Sequence, residues 1–367
     1  MHWLKEHFPR AIAFWERYER HISAAGLATG FIFDLIIADR PDSIPNNLLL
    51  LSYILLSGVL IVVLNVRATR KLEEEHSPEP LFLLLILQFC FGGLASNLLV
   101  LYGRSGTLAG SALFLGLLAV MLVGNEFLKT RYEQLRFNIG VYYLLLLTYC
   151  LIAVPVFLFH TIGTWVFILS GLMSLVIFAV FLGVLFAVVF SGRERPLREI
   201  SVIVGSIFIV FNLLYFLNII PPVPLSLKNV GIYHSLLKQS EGGYLAIFER
   251  PPWYVFWRDT SGTYTLPAGN GAFCYSSVFA PTNLEAPIFH RWEKYNEENK
   301  KWETQSHISF SISGGRDEGY RGFSQKGSLT SGTWRCNVET ASGALIGRIS
   351  FTVIESKIPP VLSTKKL

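Results

Sequence analysis

The sequence predicts an α-helical polytopic membrane bundle of about seven spans, followed by an all-β, antiparallel sandwich domain. Three observations predict it. Seven long apolar runs fill the first 220 of 367 residues. The Lys and Arg between those runs fall almost wholly in alternate loops. Beyond Pro221 the apolar pattern changes from continuous to alternating. A continuous run suits hydrocarbon, and a period of two suits a strand with one buried face.

The chain is 51% hydrophobic and 16% charged, against about 25% charged in soluble domains. A span needs roughly 20 apolar residues, and runs at 22–38, 46–66, 81–102, 107–127, 139–159, 164–190 and 200–220 approach or meet that length. The first is the shortest and holds Asp34. Ahead of it, 1–21 reads as a cytoplasmic amphipathic segment with Ala11, Ile12, Phe14, Trp15 and Tyr18 on its apolar side. That polar and aromatic lead, without a small-x-small site, predicts a retained anchor and not a cleaved leader.

Orientation follows from the basic residues. Lys5, Arg10, Arg17 and Arg20 precede the first run. Arg67, Arg70 and Lys71, then Lys129, Arg131 and Arg136, then Arg193, Arg195 and Arg198 fill alternate loops, while the opposite loops hold only Arg40 and Arg104. The positive-inside rule then predicts a cytoplasmic N-terminus and an external C-terminal domain. The net charge of +5 fits loops facing anionic lipid. No basic stripe interleaved with aromatics suggests nucleic acid. The lipid bilayer is the expected partner of 22–220.

Within the spans, Asp34 and Glu126 are the acids, and intramembrane acids suggest function. Both lie near predicted span ends, which also suits capping or snorkelling. Gly26 with Gly30, and Gly106 with Gly110, permit close helix approach. Bundle packing accounts for that spacing, and a homo-oligomer face is the alternative. Pro155 predicts a kink in the fifth span.

The prolines at 221, 222 and 224 open an expected linker over 221–243. A sandwich over 244–357 and a tail over 358–367 follow. Strands are predicted near 244–249, 253–257, 272–280 and 286–295. Trp302, Thr304, Ser306, Ile308, Phe310 and Ile312 are predicted on one face of a further strand. Trp334, Cys336 and Val338 oppose Arg335, Asn337 and Glu339, and 345–353 continues the alternation. Cys274 and Cys336 fall in this domain, where an external compartment permits a disulfide. Two buried free thiols are the alternative.

Four blocks occur in order after Ile220: IPPVPLSLKNVGIYHS, VFAPTNLEAPIFHRWEKY, ISGGRDEGYRGFS and GTWRCNVETASGALIGRISFTV. They resemble the bacterial family called domain of unknown function 2914, over about the last 130 residues. The resemblance implies a β-rich domain at the C-terminus of a multi-span protein of the bacterial inner membrane, hence a periplasmic location. It implies no activity. Cys336 stands where the family leads one to expect an aliphatic residue, so a disulfide is not implied family-wide.

The loop Gly314–Gly322 gathers Arg316, Asp317, Glu318, Tyr320 and Arg321 among glycines. A forked arginine there could hold an anion or a sugar. Local charge pairing across a turn is the structural alternative. His290 and Trp292 share one strand face, with Arg291 and Glu293 opposite, and His290, His307 and Glu318 are candidates to meet in space. Trp253, Tyr254, Trp257, Tyr264 and Tyr275 read as a ring cluster for packing, the headgroup belt or sugar stacking. No H-E-x-x-H, C-x-x-C, G-x-S-x-G or P-loop sequence occurs. No catalytic residue, metal or cofactor is therefore expected, and enzymatic activity stays open. The expected role is binding of an envelope protein, glycan or lipid headgroup by the sandwich, in assembly or sensing. A transporter or channel using Asp34 and Glu126 is the first alternative. An envelope enzyme acting on a lipid-linked or glycan substrate is the second.

Overall fold

The computed structural model describes residues 28–30, 32–33, 40–71, 81–104, 112, 116, 131–190, 196–220, 222–240, 243–255, 259–266, 271–316, 318–356 and 360–367. The chain forms two compact units. One contains 1–101, 112–157 and 165–217, and the other contains 102–111, 158–164 and 218–367.

Among the described residues of the first unit, five helices are long and apolar enough to cross a membrane. They are α1 (Ile44–Lys71), α2 (Leu81–Arg104), α3 (Arg131–Val154), α4 (Thr164–Val189) and α5 (Leu197–Phe216). Five of the seven predicted runs thus appear as helices. The first and fourth, with Asp34, Glu126, Gly26, Gly106 and Gly110, lie outside the described residues apart from short helical pieces. Pro155 does not end the fifth run. The chain passes into a π-helical turn at Pro155–Phe159, because proline supplies no N–H for the regular ladder.

Small residues set the helix contacts. A side chain at Gly93 of α2 would lie 2.7 Å from the Tyr53 ring of α1. One at Gly140 of α3 would lie 3.1 Å from Ile203 of α5, and one at Gly171 of α4 would lie 3.0 Å from Phe208 of α5. Gly30 abuts the Phe89 carbonyl of α2, so this member of its pair packs within the chain. Asn46 and Asn97 exchange amide hydrogen bonds at 3.4 and 2.8 Å between α1 and α2. Arg136 and Glu199, 2.5 Å apart, bring the starts of α3 and α5 to one end of the bundle. Val176, Val180, Val184 and Val188 of α4 form an exposed stripe at i, i+4 spacing. Water would penalise that stripe, whereas lipid tails solvate it.

Among its described residues, the second unit contains eleven strands in three sheets. They are β1 (Ser226–Tyr233), β2 (Ser235–Lys238), β3 (Tyr244–Glu249), β4 (Thr263–Leu266), β5 (Ala272–Phe279) and β6 (Glu285–Asn296), then β7 (Lys301–Ser313), β8 (Tyr320–Lys326), β9 (Gly332–Thr340), β10 (Leu345–Glu355) and β11 (Leu362–Lys366). The sheet orders are β1-β5-β8, β4-β10-β9-β6-β7 and β11-β3-β2. Pairing is antiparallel except between β10 and β4.

Three segments differ from the sequence reading. The expected linker 221–243 contains β1 and β2, because Ile232, Tyr233 and Leu236 are core residues. The expected tail 358–367 contains β11, which pairs with β3 from Leu362↔Glu249 to Lys366↔Leu245. The predicted strand at 253–257 is instead a turn at 253–254, with 256–258 outside the described residues.

The three-stranded sheet of β1, β5 and β8 uses both faces. On β5, Cys274 and Val278 point to the five-stranded sheet, where they meet Trp292, Trp334, Val338 and Ile288. Tyr275 and Phe273 point the other way and pack with Ala246 and Phe248 of β3. The result is three layers with two cores. Cys274 of β5 and Cys336 of β9 are bonded between the first two layers, with Cα atoms 6.6 Å apart.

The bond closes 62 residues, for which loop entropy gives about 4 kcal/mol. The double variant Cys274→Ala/Cys336→Ala should lose about that much in guanidinium unfolding followed by tryptophan fluorescence. An unchanged midpoint would mean that the bond adds nothing to stability.

Candidate functional site

The face of the five-stranded sheet turned away from the disulfide carries charge. Along β6, Trp292 and His290 point inward, so Arg291 and Glu293 point outward. Along β9, Trp334, Cys336 and Val338 point inward, so Arg335, Asn337 and Glu339 point outward. The registers Arg291↔Asn337, Glu293↔Arg335 and Phe289↔Glu339 set these groups side by side. His307 of β7 lies opposite Arg291, and Arg348 of β10 opposite Asn337.

A β-bulge completes the face. In the β6–β7 pair, Trp292 faces Ser306 but Glu293 faces Thr304, so Gln305 is an extra residue. The inserted residue inverts the alternation, and Trp302 joins the outer face. Its ring lies 4.1 Å below the Arg335 guanidinium. Strict alternation had placed Trp302 beside Ile308 and Phe310 in the core, and the bulge is the reason it is not there.

The bonds are dense. Glu293 Oε2 accepts from Arg335 Nε at 2.5 Å and from Asn337 Nδ2 at 2.7 Å. Asn337 Oδ1 accepts from Arg348 Nε at 2.6 Å. Glu339 meets Arg291 Nη2 at 2.6 Å and His307 Nε2 at 3.2 Å. Phe289 stacks on the His307 ring at 4.6 Å. The two carboxylates lie underneath, with side chains only 7% and 3% exposed, while Arg291 is 35% and His307 48% exposed.

Burial alone would raise the Glu293 pKa, but the hydrogen bond and charge of Arg335, with Asn337 and Arg291, hold it below the usual carboxylate range. Burial prevails at Glu339 and keeps its pKa above the usual range despite Arg291 and His307. Partial burial, then the charge of Arg335, lowers Arg348. Three guanidiniums thus stand over two carboxylates, one of them reluctant to ionise. The surplus is positive and faces outward. Forked donors held from beneath, Arg291 by Glu339 and Arg348 by Asn337, can take carboxylate or phosphate oxygens in pairs.

The structure separates the residues singled out from the sequence. His290 and Trp292 are fully buried and present nothing to a partner. His290 bonds Ser276 Oγ at 2.7 Å through Nε2 and Ser324 Oγ at 2.9 Å through Nδ1, and Trp292 Nε1 donates to the same Ser324 Oγ. Burial lowers the His290 pKa to about 3, so the ring stays neutral. Ligand atoms of Cys274, His290 and Cys336 lie within 4.8 Å of one another, but the bonded sulfurs offer no thiolate. His307 points from the opposite face of the sheet, so His290 and His307 do not meet.

The glycine loop is tied inward. Gly314 and Gly315 N–H groups donate to Leu284 and Ala280 carbonyls at 2.9 and 3.1 Å. The Glu318 carbonyl accepts from Ser277 Oγ. Gly315 and Gly319 adopt φ of 100° and 80°, which suits glycine. The exposed Arg316 lies over the Tyr320 ring at 5.7 Å, and Tyr320 packs on the inner core. Arg321, the next residue of β8, points to the other face, toward Tyr275. The two arginines therefore do not converge, and Asp317 lies outside the described residues. Among the ring residues, Tyr264 and Tyr275 are buried, while Trp253 and Tyr254 are exposed. Trp257 lies outside the described residues.

Residues 285–353 match the model of the family described as a protein of unknown function (DUF2914). The match lies in the C-terminal region and runs from the start of β6 into β10. It therefore contains each residue of the charged face named above. No curated protein and no solved structure matches the chain.

Two outcomes test this geometry. Arg335→Leu should destabilise by about 3–5 kcal/mol, since it strands a buried carboxylate, while Arg335→Leu/Glu293→Leu should recover much of that loss. A double-mutant unfolding cycle measures both, and additive losses would show the pair to be uncoupled. In acid, unfolded chains protonate histidine below about pH 6.5 while folded His290 stays neutral, so the unfolded state binds more protons and stability falls with pH. His290→Gln should remove up to about 1.4 kcal/mol per pH unit of that slope between pH 6.5 and 5, read from unfolding midpoints.

Proposed function

We propose that this is a multi-pass protein of the bacterial inner membrane, with a cytoplasmic N-terminus and a periplasmic β domain. The charged face of that domain binds an anionic group carried by an envelope partner, and the helices anchor it. The observation that carries this reading is the guanidinium set of Arg291, Arg335 and Arg348 over Glu293 and Glu339. Salt bridges built only for stability rarely require buried acids, because desolvation offsets much of the attraction. Here Glu339 and Asn337 fix the outward Arg291 and Arg348, while Arg335, 15% exposed, lies between Glu293 and the Trp302 ring. The basic residues of alternate loops support the orientation, and the oxidised Cys274–Cys336 bond suits a periplasmic setting.

The partner class follows from the donors. Paired N–H groups select carboxylates or phosphate oxygens, which occur on acidic glycans, lipid headgroups and acidic protein segments alike. The aromatic rings of Phe289 and Trp302 flank the cations and add an apolar margin.

A photoreactive residue at the exposed Ser309, beside His307 on β7, tests the reading in cells. Capture of a partner bearing acidic groups is expected. Arg348→Ala and Arg291→Ala should each weaken that capture about tenfold or more, since a charge-assisted hydrogen bond contributes roughly 1.5–3 kcal/mol. Undiminished capture by both variants would defeat the assignment of this face.

A further inference from the structure

An apolar tip lies at one end of the β11-β3-β2 sheet. The loop after β3 leaves at Glu249 and returns where the Ser261 N–H donates to the Glu249 carbonyl at 2.9 Å. Within it a turn is closed by the Val255 N–H to the Pro252 carbonyl, also at 2.9 Å. The turn presents Trp253 at 92% and Tyr254 at 60% exposure, with the two rings edge to face at 6.0 Å. The chain entering β11 comes to the same place, because Leu362 is the register partner of Glu249. Leu362 is 44% exposed and Val361 is 89% exposed. Four apolar side chains thus stand outward at one sheet end.

The nearby charges are arranged in one sense. Glu249 is engaged inward by His234 Nε2 at 2.9 Å and by the Thr265 N–H at 2.6 Å. Asp259 accepts from Lys365 Nζ at 2.9 Å. Arg250, next to the loop's exit, is exposed. The tip therefore joins a tryptophan, a tyrosine and two aliphatic groups to an outward cation, with its acids already paired.

We infer that this tip inserts into the headgroup region of the bilayer that holds the chain's own helices. Tryptophan and tyrosine favour that layer because their rings are apolar at one end and donate hydrogen bonds at the other. Arg250 complements anionic lipid. Nine residues lie between the end of α5 at Phe216 and the start of β1 at Ser226, and nine extended residues span at most about 30 Å. Pro251 and Pro252 stiffen the approach to the turn, so less freedom is lost on insertion. This surface is separate from the charged face of the five-stranded sheet and does not depend on the function proposed for it.

The test uses the full chain in vesicles of phosphatidylcholine and phosphatidylglycerol. An environment-sensitive fluorophore goes on Val361→Cys, with a control label on Asn299→Cys in the β6–β7 turn. Nitroxide on the lipid headgroups should quench the label at 361 and leave the label at 299 bright. Trp253→Ser/Tyr254→Ser, exposed positions whose loss leaves both cores intact, should abolish that quenching. Equal brightness at 361 and 299 overturns the inference. So does a shielded signal at 361 that ignores the nitroxide lipid and disappears on dilution of protein in the vesicles, which would identify a second copy as the occupant.

Discussion

The pairing of β6 with β9 governs the β domain. These neighbours at the heart of the five-stranded sheet each carry two chemistries, one per face. Inward they set Trp292 against Cys336 and His290 against Val338. Outward they set Glu293 against Arg335 and Arg291 against Asn337. A slip of one residue in either strand would place indole and sulfur in water and carboxylates in the core. Both the core and the charged face therefore enforce the same register, and neither can be altered far without the other.

The helical unit obeys a different rule. Its helices bring small residues to their contacts and large apolar residues to their surroundings, as at Gly140 and Ile203 or along the valines of α4. The β unit does the reverse, with rings inside and charge outside. Its two cores share the middle sheet, which leaves β5 with almost no exposed side chain. That sheet is the scaffold against which the charged face is held flat.

How much of this could be read from residues alone differs by region. The five described helices were legible as long runs, because length and apolarity suffice in hydrocarbon. The strands β5, β6, β7, β9 and β10 were legible by alternation. Strands β1, β2 and β11 were not, since prolines and charged flanks mask them and only tertiary pairing with β5 and β3 makes them strands. At the candidate site, the outward row of Arg335, Asn337 and Glu339 was visible, but its partnership with Arg291, Glu293 and Arg348 depends on register between strands. The bulge at Gln305 was hidden because an extra residue leaves no mark in composition. The glycine loop has an unusual sequence, yet Gly314 and Gly315 serve close approach to 280–282, Gly319 to Ser277 and Val278, and Gly322 to the Phe310 ring.

The Cys274–Cys336 bond has a consequence for the order of events in the cell. Both sulfurs belong to fully buried residues, facing each other from two sheets. Once the layers close, no oxidant or oxidoreductase can reach them. The bond must form while β5 and β9 are still accessible to an oxidant. A chain that closes before meeting an oxidant would trap two thiols in its interior, and only reopening would repair it. Maturation of this domain is thus a race between oxidation and collapse, and the chain reaches its oxidised form only when chemistry comes first.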